Sequence, residues 1–218
     1  MDRVFVIAEA GINHNGNLSS ARKLITEAAR SGADAIKFQT FKADALVSKF
    51  ADKAVYQKKF TDKYETSFEM IKKLELDRDT HEDLILHCEK KGISFLSTAF
   101  DHASIELLDK LNLPFFKIPS GEITNLPYLR HIGRINKPIL MSTGMATLEE
   151  VQSALNILLE AGAEKNKITI LHCNTEYPTP MQDVNLNAML TIRDNLGVAV
   201  GYSDHTLGIE IPVAAVAM

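Results

Sequence analysis

This sequence has few cysteines and no apolar stretch long enough to cross a membrane. Its two cysteines, Cys88 and Cys173, lack the spacing of a metal site and fall in apolar settings, so we expect reduced, structural thiols. The apolar run near the N-terminus is short and is followed at once by Glu9 and Asn13, which argues against a signal peptide or a membrane span. We therefore expect a cytoplasmic protein with no membrane partner.

Basic tracts, low-complexity segments and Pro-rich linkers are also missing. The formal net charge is -4, and 24% of the residues are charged, so nothing indicates nucleic acid as a partner. Neither G-x-G-x-x-G nor G-x-x-x-x-G-K-[ST] occurs, which weakens the case for a nucleotide-binding sheet. In contrast, 45% of the 218 residues are hydrophobic, which is enough for one sizeable core.

What the sequence does have is a regular alternation of two kinds of apolar segment. Seven short, β-branched segments have the nearly continuous apolar pattern of buried parallel strands, at 4–10, 34–40, 93–99, 115–120, 138–143, 168–173 and 198–204. Each is followed by a longer segment with apolar residues three and four positions apart, as in an amphipathic helix. The helix predicted at 147–161 starts with a capping box formed by Thr147 and Glu150.

Repeated βα units are compatible with either an open doubly wound sheet or a closed barrel. The missing nucleotide motifs favour the second, an α/β fold of the TIM-type (β/α)8 barrel class. A full barrel has eight units and about 250 residues. We therefore expect residues 1–218 to form one barrel domain with about seven units, truncated before strand 8. The long interruption at 41–76 is expected to cover a site or to carry a short helix of its own.

Polar residues at the carboxyl ends of the predicted strands indicate a binding site, because these ends converge on one face of a barrel. Lys37 and Lys117 lie within otherwise apolar strands, where an ammonium is costly unless an anion pairs with it. The segments SGE, STGM and GYSD supply hydroxyls and accessible backbone N–H groups. We expect the two lysines to meet around one small dianion, and phosphoenolpyruvate fits such a cradle.

Of five other ionisable residues, three leave alternatives open, namely Glu9, His14 and His205. Glu9 either forms a salt bridge with one of the two lysines, or positions water or shuttles a proton. His14 and His205 are each equally consistent with a site and with a structural role. His172, inside an apolar strand, is expected to be a hydrogen-bonded core or rim residue. His81 is expected to lie on a helix at the surface or in an interface.

Seven strings resemble the bacterial N-acetylneuraminate synthase family, which includes the legionaminate and pseudaminate synthases: IAEAGINHNG, IKFQTF, FLSTAFD, FKIPSGE, LMSTGM, LHCNTEYPTP and GYSDHT. The resemblance covers essentially the whole chain, in order. It implies a TIM-type barrel and a small antifreeze-like C-terminal domain, absent from this sequence, in a domain-swapped homodimer. The implied reaction condenses phosphoenolpyruvate with N-acetylmannosamine or a related N-acylated amino sugar, giving a nonulosonic (sialic-type) acid and phosphate.

The resemblance also implies residue roles. Glu9 would be the catalytic carboxylate, and Lys37 and Lys117 would neutralise the phosphate. The residues that hold phosphoenolpyruvate would be Lys37, Thr98, Lys117, Ser120, Ser142 and Ser203. The residues that contact the sugar would be Gln39, Tyr177 and one of the neighbours Asn174 and Thr175. His205 would bind a divalent metal ion, Mn or Mg, whose second histidine ligand is expected beyond the end of the chain.

Three alternatives remain. One is another phosphoenolpyruvate-condensing sugar-acid synthase, whose phosphorylated sugar would need further basic residues. The second is a Schiff-base aldolase that uses Lys117 or Lys37. The third is a non-catalytic fragment of such an enzyme, since we expect this chain by itself to be weakly active or inactive.

Overall fold

Parallel β-strands form the framework of the protein. The computed structural model describes residues 3–48 and 66–218, and the chain divides into two units, Met1–Leu113 and Pro114–Met218. The strands of the first unit are β1 (Ile7–Gly11), β2 (Ala35–Thr40) and β3 (Ser94–Ala99), which pair in parallel in that order. The helices within its described residues are α1 (Leu18–Arg30), α2 (Ala43–Leu46), α3 (Ser67–Lys72), α4 (Arg78–Lys91) and α5 (His102–Lys110).

The second unit repeats the same pattern. Its strands are β4 (Phe116–Ile118), β5 (Ile139–Ser142), β6 (Ile168–His172) and β7 (Ala199–Tyr202), again parallel and in chain order. Its helices are α6 (Leu126–Ile135), α7 (Leu148–Ala161), α8 (Asn187–Leu196) and α9 (Glu210–Ala217). Short 3₁₀ turns cover Ser120–Glu122, Lys165–Lys167 and Met181–Asp183.

Consecutive parallel βα units are the building blocks of a (β/α)8 barrel, and seven strands lie within the described residues. The predicted fold class, a TIM-type barrel with seven of its units in this chain, is therefore confirmed. The interruption at 41–76 carries α2 and α3, which is the second of its two predicted alternatives, while residues 49–65 of it lie outside the described part. None of the described helices is both long and apolar enough to span a membrane.

Local sequence signals determine where several helices begin and end. The Thr147 side chain accepts a hydrogen bond from the Glu150 N–H, and the Glu150 carboxylate accepts from the Thr147 N–H, which confirms the predicted capping box. Asp77 caps α4 in a similar way by accepting from the Thr80 N–H. Strand β4 is shorter than the predicted segment 115–120, because Pro119 has no N–H with which to continue the ladder.

The buried face of β2 packs against helix α4 and β3. Phe38 stacks on Phe95 at a ring-centroid distance of 5.4 Å, and Phe95 meets the ring of His81 edge-on at 6.0 Å. The prediction that His81 lies at a surface or interface is wrong, since its side chain is completely buried. Both of its ring nitrogens have hydrogen-bond partners within the first unit, which is why the core can hold this polar ring.

Both cysteines are buried and unpaired, as predicted. Burial raises the pKa of the Cys88 thiol to about 12, so this thiol stays protonated and inert at neutral pH.

Buried neutral histidines make the stability of the protein depend on pH. Burial lowers the pKa of His14, His81 and His172 below the ordinary value of 6.5. Below pH 6.5 the unfolded chain therefore binds more protons than the folded one, and stability falls as the pH falls. We expect urea midpoints to be constant from pH 8 to 7 and to drop from pH 6.5 to 5. Each titrating histidine can add a slope of at most about 1.4 kcal/mol per pH unit. Constant midpoints down to pH 5 would contradict the neutral state of these rings.

Candidate active site

The carboxyl ends of the first three strands bring together four predicted site residues, which we call the Lys37 cluster: Glu9, Lys37, Gln39 and Thr98. The Lys37 ammonium lies 2.5 Å from Glu9 Oε2 and donates a hydrogen bond to Thr98 Oγ1 at 3.3 Å. The strand register sets Glu9 beside Lys37, and Gln39 beside Thr98. The salt-bridge alternative for Glu9 is thus observed. Its carboxylate is 48% exposed, whereas the Lys37 side chain is 13% exposed, so Glu9 can reach water.

Gly11 keeps the space next to this cluster open. Its φ of +50° is in the left-handed region, and a Cβ at this position would lie 3.2 Å from Glu9 Oε1 and 3.7 Å from Gln39 Nε2. A side chain here would be strained and would crowd both polar groups. Glycine therefore allows Glu9 and Gln39 to flank the end of β1.

A second group, which we call the Lys117 cluster, lies at the carboxyl ends of β4 and β5: Lys117, Ser120, Ser142 and Gly144. The Lys117 side chain is buried, and its ammonium donates to Ser142 Oγ at 2.6 Å and to the Ile118 carbonyl at 3.0 Å. Both of these acceptors are uncharged, and they orient the ammonium at the strand ends. An ammonium oriented in this way can also donate to an anionic oxygen.

Ser120 connects this cluster to the end of β6. Its hydroxyl accepts a hydrogen bond from the Gly144 N–H at 2.9 Å and lies 3.3 Å from Cys173 Sγ. Gly144 fits only because it lacks a side chain: a Cβ would lie 2.5 Å from Thr175 Cγ2 and 3.0 Å from Ser120 Oγ. Sequence reasoning missed Gly144 and Cys173 as individual site residues, although the string STGM drew attention to the first of them.

A cavity of about 540 Å³ opens beside the Lys117 cluster. Thr143, which follows Ser142, and Cys173, which touches Ser120, both line it. Its polar wall comes from the loop after β6, and its apolar wall comes from α7 and α8. The described lining residues are Thr143, Met145, Ala146, Leu148, Val151, His172, Cys173, Asn174, Thr175, Glu176, Asn185, Ala188, Thr191 and Ile192. They include one carboxylate and neither lysine nor arginine, so the wall favours a neutral polar ligand.

The loop after β6 holds Asn174 and Thr175 differently. The Asn174 amide donates to the carbonyl of Asp183 at 3.1 Å, and its Oδ1 is buried without a hydrogen-bond partner among the described residues. The Thr175 methyl group packs where a Gly144 Cβ would be. Asn174 is therefore bound to its own loop, while Thr175 contacts the Lys117 cluster.

His172 only partly fits its prediction. It is half-buried at the strand end, as expected for a rim residue, and its ring lies 5.8 Å from that of Tyr202. However, its Nε2 is buried and has no hydrogen-bond partner within the described residues, so this nitrogen does not make the hydrogen bond expected of the residue. Burial lowers the pKa of His172, which keeps this ring neutral.

The loops after β6 and β7 are joined to each other. Tyr177 meets the ring of His205 edge-on at 4.5 Å, and the Thr179 N–H donates to the His205 carbonyl at 2.8 Å. Ser203 continues the end of β7 by donating its N–H to the His172 carbonyl at 2.9 Å. These contacts bring the predicted residues Tyr177 and His205 together, with Tyr177 largely exposed.

The described residues do not provide a full set of metal ligands around His205. Within residues 3–48 and 66–218, no three His, Cys, Asp or Glu side chains are grouped closely enough to hold a metal ion. The neighbouring Asp204 carboxylate accepts two hydrogen bonds from Thr206, which fixes it in a local turn. One imidazole is not a ligand set for a divalent ion, so we derive no chemical step from a bound metal.

The predicted residues thus fall into two clusters, one in each unit, and the expected meeting of Lys37 and Lys117 around one dianion stays a prediction. Ser203, Tyr177 and His205 belong to the second unit, as do Asn174 and Thr175.

Comparison with known proteins identifies relatives over the whole length of the chain. It is 56% identical over 218 residues to N,N'-diacetyllegionaminic acid synthase of Campylobacter jejuni, covering 100% of this chain and 65% of that protein. It is 49% identical over 216 residues to the Legionella pneumophila protein of the same name, covering 98% and 61%. The chain therefore spans less than two thirds of the length of these curated relatives.

A solved structure gives the same result for the fold. The crystal structure of N-acetylneuraminic acid (sialic acid) synthetase from Leptospira borgpetersenii, in complex with citrate, superposes with a TM-score of 0.85 and 32% identity over 99% of this chain and 70% of that one. The family model described as the NeuB family matches residues 24–218. Because this match covers most of the sequence, the chain belongs to the NeuB family.

Proposed function

We propose that this chain is the barrel part of an enzyme that condenses phosphoenolpyruvate with an N-acylated amino sugar, giving a nonulosonic acid and phosphate. One observation carries the proposal: a buried lysine, Lys117, is oriented by uncharged acceptors beside a cavity whose described wall has no cationic side chain. This combination suits a small dianion and a neutral polar sugar side by side. The names of the relatives and the family membership support it.

The phosphoenolpyruvate site would use both lysine clusters. Lys117, Ser142 and Ser120 offer an ammonium and two hydroxyls within one hydrogen-bonded group, and charge-assisted bonds from such groups to phosphate are strong. Lys37 and Thr98 form a second hydrogen-bonded pair at the strand ends of the first unit. In the proposal these groups hold the carboxylate and the phosphate, and the Ser203 hydroxyl adds a further hydrogen bond.

Glu9 would transfer a proton from the attacking water. The methylene carbon of phosphoenolpyruvate attacks the aldehyde carbon of the sugar, which forms the new C–C bond and leaves an alkoxide on the former aldehyde oxygen. Water then adds to the carbon that bears the phosphate ester, and one proton of this water passes through the Glu9 carboxylate, which is ion-paired with Lys37 yet open to water, to the alkoxide. The tetrahedral intermediate loses phosphate by C–O cleavage, its hydroxyl proton leaves with the phosphate as the ketone forms, and the lysines stabilise the departing negative charge.

The sugar would occupy the cavity beside the Lys117 cluster. Thr175 supports this assignment, because it lines the cavity and touches the cluster, whereas the Asn174 amide is already bonded within its loop. Gln39 and Tyr177 stay predicted sugar contacts. A divalent ion at His205 also stays a prediction, since no group of three potential ligand side chains lies within the described residues. The homodimer stays a prediction as well.

An assay of phosphate release tests the proposal directly. N-acetylmannosamine and its deoxy diacetamido analogues should each be offered with phosphoenolpyruvate, with and without manganese. This chain should be compared with a form extended at its carboxyl end. Release that depends on the sugar supports the function, and turnover by the longer form alone would support the non-catalytic fragment alternative. Trapping of a pyruvate adduct by borohydride would instead indicate the Schiff-base aldolase.

The cavity wall also predicts which sugars are used. Because no lysine or arginine is among the described lining residues, we expect kcat/KM to be at least about 10-fold higher for an unphosphorylated sugar than for its 6-phosphate. The Glu176→Lys variant adds a cation to this wall and should reduce the preference for the unphosphorylated sugar. The control variant Glu160→Lys, on α7, should leave this preference unchanged. A wild-type preference for the phosphorylated sugar would favour the other class of sugar-acid synthase.

A further inference from the structure

The strands that carry the Lys37 cluster have a second polar group on their opposite face. Thr40 Oγ1 lies 2.7 Å from His81 Nε2 and 2.6 Å from Ser97 Oγ. His81 Nδ1 lies 2.7 Å from the backbone carbonyl oxygen of Asp77. The three side chains are at most 2% exposed, so this group does not contact solvent or a substrate.

The donor and acceptor chemistry of the Asp77 carbonyl and the neutral His81 ring sets the direction of each hydrogen bond in this group. The Asp77 carbonyl can only accept, so His81 Nδ1 carries a proton, and the Nε2 of the neutral ring must accept from the Thr40 hydroxyl. Thr40 Oγ1 in turn accepts from the Ser97 hydroxyl. Burial lowers the pKa of His81, which agrees with the neutral ring that this chain of bonds requires.

Strand alternation puts this chain of bonds directly behind the candidate site. Successive side chains of a strand point to opposite faces, so Gln39 and Thr40 face opposite ways, as do Thr98 and Ser97. The register pairs Gln39 with Thr98. A side chain that holds Thr40 and Ser97 from the helix side therefore also fixes the backbone that presents Gln39 and Thr98.

Helix α4 makes a firm anchor for this purpose. Its N-cap residue Asp77 supplies the carbonyl, and the Asp77 carboxylate is held by the Thr80 N–H at 2.8 Å. The His81 ring is held further by its edge-on contact with Phe95. The first turn of α4 is thus connected to two neighbouring strands through one imidazole.

We propose that His81 is a positioning residue of this enzyme, which fixes the carboxyl ends of β2 and β3 through Thr40 and Ser97 and so aligns the Lys37 cluster with phosphoenolpyruvate. The link to phosphoenolpyruvate rests on the proposed function. The alignment of the strand ends rests only on the hydrogen bonds and the register.

Three substitutions separate this role from simple packing. His81→Gln keeps an amide oxygen near the position of Nε2 and can still accept from Thr40. His81→Asn has an amide that is too short to reach it, and Thr40→Val removes the hydroxyl with little change in volume. Leu84→Ala is the matched control, because Leu84 is equally buried on the same helix but has no polar link to the strands.

Kinetics and amide hydrogen exchange are measured on each variant well below its Tm. We expect His81→Asn and Thr40→Val each to lower kcat/KM for phosphoenolpyruvate about 10-fold, the double variant to lose no more than either single one, and His81→Gln to stay within threefold. Hydrogen exchange of the Gln39 and Thr98 backbone amides should accelerate about 10-fold in His81→Asn and Thr40→Val, but not in His81→Gln or Leu84→Ala.

Equal kinetic losses in Leu84→Ala and His81→Asn, or no loss in His81→Asn, would overturn the positioning role. If the wild-type protein releases no phosphate with any sugar, the proposed function fails instead. The exchange rates at Gln39 and Thr98 then decide by themselves whether His81 holds the strand ends.

Discussion

Replacing Lys117 with methionine should reduce phosphate release about 100- to 1,000-fold, the usual effect of losing one strong electrostatic contact to a reacting anion. Methionine has a similar length and fills the same buried space, but it offers no donor to an anionic oxygen. Removing the buried ammonium removes its desolvation cost, but it also leaves Ser142 Oγ and the Ile118 carbonyl without this donor. The two effects oppose each other, so we expect only a small change in Tm. The measurements are phosphate release, calorimetric binding of phosphoenolpyruvate and thermal unfolding. They are made on this chain or on the form extended at its carboxyl end, depending on which of the two is active.

The control for this experiment is Lys110→Met, which removes an exposed lysine at the end of α5. It changes the net charge by the same amount and should leave turnover within twofold of the wild type. Near-normal turnover of Lys117→Met would remove the anion-binding argument for the second unit. Loss of turnover together with a large drop in Tm would point to a packing role for Lys117 instead.

The second large effect is expected at Gly144. In Gly144→Ala the new methyl group would lie 2.5 Å from Thr175 Cγ2 and 3.0 Å from Ser120 Oγ, so one of these groups has to move. Overpacking of this kind costs about 1–3 kcal/mol. It also breaks the hydrogen bond that orients the Ser120 hydroxyl. We expect lower stability and a weaker affinity for phosphoenolpyruvate, measured by urea unfolding and calorimetry.

Two further variants make this prediction specific. Gly121→Ala changes a glycine next to Ser120 whose Cβ would meet nothing within 4 Å, and it should be nearly neutral. Gly144→Ala combined with Thr175→Ser removes the clashing methyl group and should recover part of the lost stability. If Gly121→Ala is as harmful as Gly144→Ala, the close approach to Thr175 is not the cause.

Positions decided by short-range physics could be predicted from the sequence. The capping box at Thr147 and Glu150 depends on two residues three positions apart, and it formed as expected. The buried parallel strands follow from runs of β-branched residues, whose pattern needs no knowledge of the partner strand. Strand β4 ended early for an equally local reason, since Pro119 cannot donate to the ladder.

Side-chain partners that are distant along the chain could not be predicted in this way. His81 was expected at a surface or an interface because it falls on a predicted helix, yet Thr40 and Asp77 satisfy both of its nitrogens in the core. The salt bridge between Glu9 and Lys37 was one of two open alternatives until the register of β1 and β2 set them side by side.

Local periodicity and contiguous strings were enough to predict the repeating βα units, the two lysines inside otherwise apolar strands, and the family resemblance. The folded structure was needed to show that Lys117 donates to Ser142, that Gly144 must lack a side chain, and that a cavity without lysine or arginine in its described wall lies beside them. Such contacts depend on how closely separate strands and loops approach, and distances between elements are not encoded in the pattern of any one of them.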